Sequence, residues 1–195
     1  MNPTLRFECV ESDSPLIDEA ARLHVESLTG TLTSSRGAPV VAGIYRRLVR
    51  EGHSLYLAVD GDSVVGGLMV MLHDKSRVTA FTIAHRPWSW LTTLGKLGLR
   101  ESLQQVRDLI QVMREIPKTA PHDYIVALYV DSHFRRTGVA SGLISRVIDD
   151  SVKRGVGLGV DTLQLNEAAR RFYGSHGFRE WATTSRSQVF TLVSE

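Results

Sequence analysis

The 195-residue chain is 43% hydrophobic and 23% charged, the proportions of an ordinary globular domain with a full core. Its net charge of +2 demands neither nucleic acid nor an anionic membrane as partner, and the bias of 19 Arg to 4 Lys among the basic residues adds no chemistry. The single cysteine, Cys9, excludes an internal disulfide and a cysteine-based zinc site, the seven histidines show no metal spacing, and no apolar run reaches the roughly 18 residues of a membrane span.

The opening MNPTLRFECVESDSP has neither the basic nor the apolar region of a signal peptide, so a cytoplasmic protein is expected. LRFECV reads as a first strand in which Cys9 is a small buried thiol. Ser12 to Pro15 marks a helix start, and Leu16, Ile17, Ala20, Leu23, Ser27 and Leu28 trace one face of the helix. The polar stretch TGTLTSSRGAP (29–39) breaks it, and a second short helix carries Val41, Ile44, Tyr45 and Leu48 on one side. SLYLAV, DGD and SVVGGLMVML form a hairpin signal with Asp60-Gly61 in the turn.

Residues 74–85 read as strand or loop, and Trp88 to Ile116 as a helical segment that ends at Pro117. KTAPH leads into DYIVALYV (123–130), whose unbroken apolar run predicts a strand buried on both faces. From Val139 to Arg154 the residues Ala140, Leu143, Ile144, Val147, Ile148 and Val152 make a helical stripe. GVGLGVDTL (155–163) is a further strand, NEAARRFYGSH (166–176) a helix, and RSQVFTLVS (186–194) a closing strand. No repeat or linker divides the chain, so one domain over 1–195 is expected, with a helical insertion at about 88–116.

The stretch FRRTGVASGL (134–143) joins a buried strand to a helix through a basic turn of small residues. A helix N-terminus has backbone N–H groups without partners and partial positive charge, and small residues let a phosphate come close to them. Gly138 and Ala140 clear that space, and Arg135 and Arg136 add charge; the plain alternative is a solvated basic surface. No Gly-Lys-Ser/Thr follows, so this is not a Walker loop, and a single glycine in place excludes the dinucleotide fingerprint.

Arg135-x-x-Gly138-x-Ala140 after a buried strand resembles the pyrophosphate loop of the GNAT superfamily of N-acetyltransferases. Asn166, Ala169, Phe172, Tyr173, Gly177 and Phe178 are similar to that superfamily's Asn-x-x-Ala-x-x-aromatic-Tyr-x-x-x-Gly-Phe segment. The close resemblance spans residues 124–178, and residues 1–50 and 74–122 carry no matching motif. The resemblance implies an α/β (α+β) fold: a central mixed, mostly antiparallel sheet splayed between strands 4 and 5, helices on both faces, and the extra helical insertion before strand 4. It also implies acetyl-CoA as co-substrate, no metal, and a primary amine as acceptor, joined in a ternary complex without a covalent enzyme intermediate.

On that resemblance, backbone groups of Leu128, Tyr129 and Val130 would hold the pantetheine arm and polarise the thioester carbonyl. Arg135, Arg136, Thr137, Gly138, Val139, Ala140 and Ser141 would hold the pyrophosphate, and Asn166 would add a donor-site contact. Tyr173 would protonate the departing CoA thiolate; its plain alternative is a core tyrosine, and that of Asn166 a helix N-cap. Arg170 and Arg171 are either solvated or near the CoA 3′-phosphate. The base stays unassigned: Asp131 reads as a candidate or a turn aspartate, His24 as a core histidine, and Glu26 and His53 no better. Asp131, Ser132 and His133 are sequence neighbours and cannot converge as a triad.

The 88–116 segment reads as a helix packed on the core, a lid, or a dimer contact in a homodimer, with membrane contact disfavoured by its mixed charge. Its apolar pattern points to a closed pocket and so to a small-molecule amine: an amino sugar, an amino-acid-like metabolite or an amine antibiotic. A protein N-terminus or lysine is the second acceptor class. A non-catalytic CoA-binding regulatory module is the reading of another class, against which Tyr173 weighs.

Overall fold

A computed structural model describes residues 5–29, 34–73, 122–183 and 187–192. Strands β1 (Leu5–Cys9), β2 (Ser54–Asp60), β3 (Ser63–Met71), β4 (His122–Val130), β5 (Gly157–Leu163), β6 (Arg179–Thr183) and β7 (Ser187–Leu192) form one sheet in the order β1-β2-β3-β4-β5-β7-β6. All neighbours are antiparallel except β4 and β5. The described helices are α1 (Leu16–Ser27), α2 (Ala38–Arg50), α3 (Val139–Arg154) and α4 (Glu167–Ser175). The segments expected as strand or loop at 74–85 and as a helix at 88–116 lie outside the described residues.

Side-chain alternation in the central strands builds two cores, one on each face of the sheet. On one face, α1 and α2 place Ile17, Ala20, Val41 and Tyr45 against Leu55, Leu57, Val59 and Met69. On the other, α3 places Leu143, Ile144 and Val147 against Tyr56, Ala58, Leu68 and Val70, joined by Tyr173 of α4. Full burial of such an aliphatic side chain is worth about 1.5–3 kcal/mol, so the stripe on α3 is the main force holding that helix to the sheet. The β2–β3 turn is closed by Gly61, whose φ of 62° suits the tight hairpin.

Two features set how β4 meets its neighbours. The β3–β4 register shifts between Met69 and Val70, which pair with Ala127 and Ile125, so Val126 is an extra residue in a bulge. Ile125 therefore faces α3, whereas Ala127 and Tyr129 face α1 and α2. At the start of the strand the buried Asp123 carboxylate meets the Arg154 guanidinium at 2.5 Å and accepts from the His73 backbone N–H at 3.0 Å. That ion pair ties the end of α3 to the base of β4.

Three expectations are corrected and a fourth holds but for one residue. Cys9 is exposed, because it closes the edge strand β1 beyond the cover given by α3 to Leu5 and Phe7. β4 is buried on both faces as expected, with Ile125 in one core and Ala127 and Tyr129 in the other, and only the bulge residue Val126 departs, at 45% exposed. Val152 is 59% exposed, because the buried face of α3 runs on through Ser151 in the last turn instead. Arg179–Thr183 forms β6, whose sequence REWAT has no apolar alternation and gave no strand signal.

Adjacent glycines in β3 serve opposite faces. A Cβ on Gly66 would lie 2.7 Å from Val139 Cγ1 and 3.2 Å from the Tyr129 carbonyl oxygen, so α3 packs directly on that backbone. A Cβ on Gly67 would overlap the Tyr129 ring on the other side. Gly67→Ala should therefore lower unfolding free energy by about 1–3 kcal/mol, the usual cost of overpacking, in a urea melt. Gly43→Ala, where an added Cβ meets nothing within 4 Å, should leave stability unchanged or slightly raised.

Candidate active site

The parallel β4–β5 ladder runs from His122–Gly157 to Ile125–Val160 and stops. Beyond it β4 continues to Val130 with β3 alone, through Leu128–Leu68, Tyr129–Gly67 and Val130–Gly66, while β5 continues with β7. Among the described residues, the β5-facing edge of 126–130 thus has no strand partner inside a sheet, where backbone groups are normally paired. Leu128 and Val130 turn their side chains toward α3, and the buried Tyr129 toward α1 and α2.

Behind this opening β4 runs into a short 3-10 turn and then α3. Asp131 caps the turn, accepting from the His133 backbone N–H at 2.8 Å. The Thr137 hydroxyl donates to the Phe134 carbonyl at 2.7 Å. Arg136 adopts φ 66° and Gly138 φ 94°, which turns the chain sharply into α3. Arg135, Arg136, Thr137 and Gly138 are all exposed, and the space around a Cβ at Gly138 is open to 4 Å. Arg135 and Arg136 form no ion pair among the described residues. Val139, the first residue of α3, is buried in contact range of Gly66, so only its backbone faces the loop, and Ala140 and Ser141 are half-buried. The result is an exposed, cationic turn with room for an anion at a helix N-terminus.

Across the opening stands α4. Asn166 is its N-cap, accepting from the Ala169 N–H at 3.1 Å. Tyr173 lies buried among the rings of Phe172, Phe178 and Phe190, at centroid distances of 5.4, 5.5 and 6.5 Å. Burial raises its pKa well above the tyrosine range, and the Asp161 charge adds to the rise, so the hydroxyl is a protonated donor. A cavity of about 320 Å³ at the first turns of α4 is lined by Glu167, Arg170, Arg171 and Phe190. Arg171 pairs with Glu167 at 3.0 Å.

The sequence of the Acetyltransferase (GNAT) family model matches this chain over residues 20–178. The chain belongs to the GNAT acetyltransferase family. The reaction of this family is acetyl transfer with acetyl-CoA as co-substrate. Solved structures share the fold at low identity. The ribosomal-protein-S18-alanine N-acetyltransferase of Escherichia coli is 14% identical over 98% of this chain and 94% of its own, with a TM-score of 0.60. An N-acetyltransferase from Staphylococcus aureus is 15% identical over 98% and 99%, with a TM-score of 0.60. A GNAT family acetyltransferase from Elizabethkingia anophelis with acetyl-CoA bound is 11% identical over 98% and 99%, with a TM-score of 0.56. No curated protein matches the sequence.

Within this GNAT chain the candidate bases are placed as follows. The Asp131 carboxylate is spent on its own turn, and the His133 backbone N–H, then the His133 ring, hold its pKa below the usual carboxylate range. His24 is buried, with Nδ1 in a 2.6 Å hydrogen bond with the Tyr45 hydroxyl. His53 is buried too and its Nδ1 accepts from the Leu72 N–H at 3.1 Å; Glu26 is exposed on α1. Sequence reasoning missed a polar pair: the Tyr124 hydroxyl of β4 donates to Asp161 Oδ1 of β5 at 2.5 Å. The only signal was an aspartate inside the apolar strand GLGVDTL. Among the described residues no group of His, Cys, Asp and Glu could hold a metal ion, and no described helix is long and apolar enough to cross a membrane.

Burial lowers the His24 pKa from 6.5 to about 4. Above pH 6.5 the ring is neutral in both folded and unfolded chains. Between about 6.5 and 4 the unfolded chain takes up a proton that the folded chain refuses, so stability should fall as pH drops through this window, by up to about 3 kcal/mol. Thermal melts across it should show a flatter Tm–pH curve for His24→Gln than for the parent.

Proposed function

We propose that the chain transfers the acetyl group of acetyl-CoA to a primary amine of a small molecule, by direct attack in a ternary complex. The observation that carries the reading is the opening between β4 and β5, which has the cationic turn of α3 at one end and the Tyr173 ring beside it. The open edge of β4 suits the amide-bearing pantetheine arm, and its backbone donors suit the thioester oxygen. The amides of Gly138, Val139, Ala140 and Ser141, with Arg135, Arg136 and Thr137, suit the pyrophosphate. Asn166 fixes the start of α4, and the charge of Arg170 and Arg171 beside the cavity there suits the 3′-phosphate.

In this reading the whole chain, 1–195 with its insertion at about 88–116, is one catalytic domain acting in the cytoplasm. Holding donor and acceptor together supplies much of the rate through orientation. Tyr173 gives its proton to the CoA sulfur as the C–S bond breaks. Val126, just past the last paired residue of β4, and Leu163, at the end of β5, are exposed and favour an amine carried on an apolar group. The second reading, a protein N-terminus, is favoured by one observation: a neighbour of the same fold is named for an alanine of a ribosomal protein.

A CoA-release screen decides among them. It should use amino sugars, amino-acid-like metabolites, amine antibiotics and peptides with free N-termini. Turnover with small amines is the expected result; turnover with peptides alone selects the second reading, and CoA binding without turnover selects a regulatory module.

Acetyl-CoA should raise the melting temperature of the parent, by an amount equivalent to about 2.7 kcal/mol at a hundredfold excess over Kd. Gly138→Glu should abolish that shift by placing a carboxylate in the anion site, whereas Gly138→Asn, a residue that tolerates positive φ, should retain it. A folded Gly138→Glu protein with the full shift would remove the loop from the donor site.

Tyr173→Phe keeps the ring among its aromatic neighbours and removes only the hydroxyl. It should lower kcat by about 10²-fold or more with the acetyl-CoA shift unchanged. A folded variant within about threefold of the parent would leave Tyr173 a packing residue.

A further inference from the structure

Tyr129 stands between the two residues of β4 whose backbone meets the thioester in the acetyl-transfer reading. The Asp131 N–H donates to the Val65 carbonyl at 2.9 Å, so Asp131 turns its backbone groups to β3. Backbone direction alternates along an antiparallel pair, and Tyr129 therefore turns its N–H and C=O to β3 as well. Leu128 and Val130 turn theirs the other way, to the opening. Among the described residues no strand holds that edge of β4 past Ile125, so Tyr129 sets where those groups lie.

The side chain of Tyr129 supplies the hold that a strand does not. Its ring lies across Gly67, its partner in the ladder, where any Cβ would overlap it. The buried His24 ring of α1 stands edge-on to Tyr129 at 5.3 Å and to Tyr45 of α2 at 5.7 Å. His24 Nδ1 and the Tyr45 hydroxyl share a 2.6 Å hydrogen bond. Ser27, the last residue of α1, donates its hydroxyl to the Val130 carbonyl at 3.5 Å. Two helices thus converge on the open half of β4.

This cluster is incomplete. The Tyr129 hydroxyl and His24 Nε2 are enclosed and have no hydrogen-bond partner. A buried hydroxyl in that state destabilises a fold, and a phenylalanine would fill the same space without the cost. Stability does not explain this tyrosine. Its hydroxyl lies close enough to Tyr45 for each phenol to act on the other's ionisation, and burial keeps both protonated. In either His24 tautomer Tyr45 has a place for Tyr129: a lone pair when Tyr45 donates to Nδ1, a proton when it accepts. Closing that bond moves β4 toward α2.

We propose that Tyr129 is a positioning residue for acetyl transfer: the bound donor presses β4 toward α2, the Tyr129 hydroxyl meets Tyr45, and Leu128 and Val130 are fixed at the thioester. The assignment rests on the acetyl-transfer reading above. The anion-binding turn lies at α3, on the face of the sheet opposite α1 and α2, so a donor seated there acts on β4 in the required direction. The hydrogen bond forms only with the donor in place. It therefore contributes to orientation of the thioester and adds nothing to the stability of the free protein.

The test uses the full chain, acetyl-CoA and the amine found in the CoA-release screen, well below the melting temperature. Tyr129→Phe keeps the ring over Gly67 and removes only the hydroxyl. Its urea midpoint without ligand should be unchanged or higher, since the lost group has no partner there. Its Kd for acetyl-CoA should be about three- to tenfold weaker, the range of one hydrogen bond, and kcat about tenfold lower or more. Tyr45→Phe should show the same kcat loss with a lower midpoint, because His24 Nδ1 then loses its partner. The double variant should lose no more kcat than Tyr129→Phe alone, whereas independent sites would multiply their losses. Ile17→Val, in the same core, should lower the midpoint and leave Kd and kcat unchanged. A folded Tyr129→Phe protein with Kd unchanged, with kcat within about threefold of the parent, or with a clearly lower midpoint overturns the assignment while the transfer reading stands. Multiplied losses in the double variant overturn it too, and if Tyr129→Phe does not fold, Tyr45→Phe at parental kcat does the same. A parent that acetylates no amine overturns both.

Discussion

The parallel contact between β4 and β5 is short, and the rest of the site depends on its ending at Ile125 and Val160. Parallel strands that stay paired are covered on both faces and leave no backbone group to spare. Here each diverging half keeps one antiparallel neighbour, β3 on one side and β7 on the other, so each half-sheet is satisfied on one edge and open on the other. The two open edges face each other. Buried backbone groups without partners are costly, so such an edge is a place where a ligand with amides of its own would find partners.

The divergence is held from both ends of α3. At the base, the Arg154 guanidinium meets the buried Asp123 carboxylate, and removal of one partner from such a pair commonly costs about 3–5 kcal/mol. At the top, Val139 sits against the bare backbone of Gly66, which brings the first turn of the helix down onto β3. Between them Leu143, Ile144 and Val147 fill the space over β2 and β3. The helix N-terminus and its cationic turn are thus aimed at the opening by packing, and the bulge at Val126 re-aims the far half of β4 to match.

Charge at the opening is divided by environment. Tyr124 and Tyr173 are both kept protonated, first by burial and then by the nearby Asp161 charge. The deeper His24–Tyr45 pair takes no part in this. It is buried between α1 and α2, and its burial makes it a source of acid sensitivity.

Much of the fold was legible in the sequence wherever the signal was local. Periodicity placed α3 from Val139 to Arg154, Asp60-Gly61 placed the β2–β3 hairpin, and Asn166 marked the start of α4. The spacing of Arg135, Gly138 and Ala140, and of Asn166 and Tyr173, pointed to the family, since turn and cap chemistry lies within a few residues along the chain. The sequence did not determine that Cys9 and Val126 are exposed, that REWAT is an edge strand, or that Tyr124 meets Asp161 from 37 positions away. Those facts depend on which strands pair and where they part. That is settled by packing between distant segments, which no window of neighbouring residues contains.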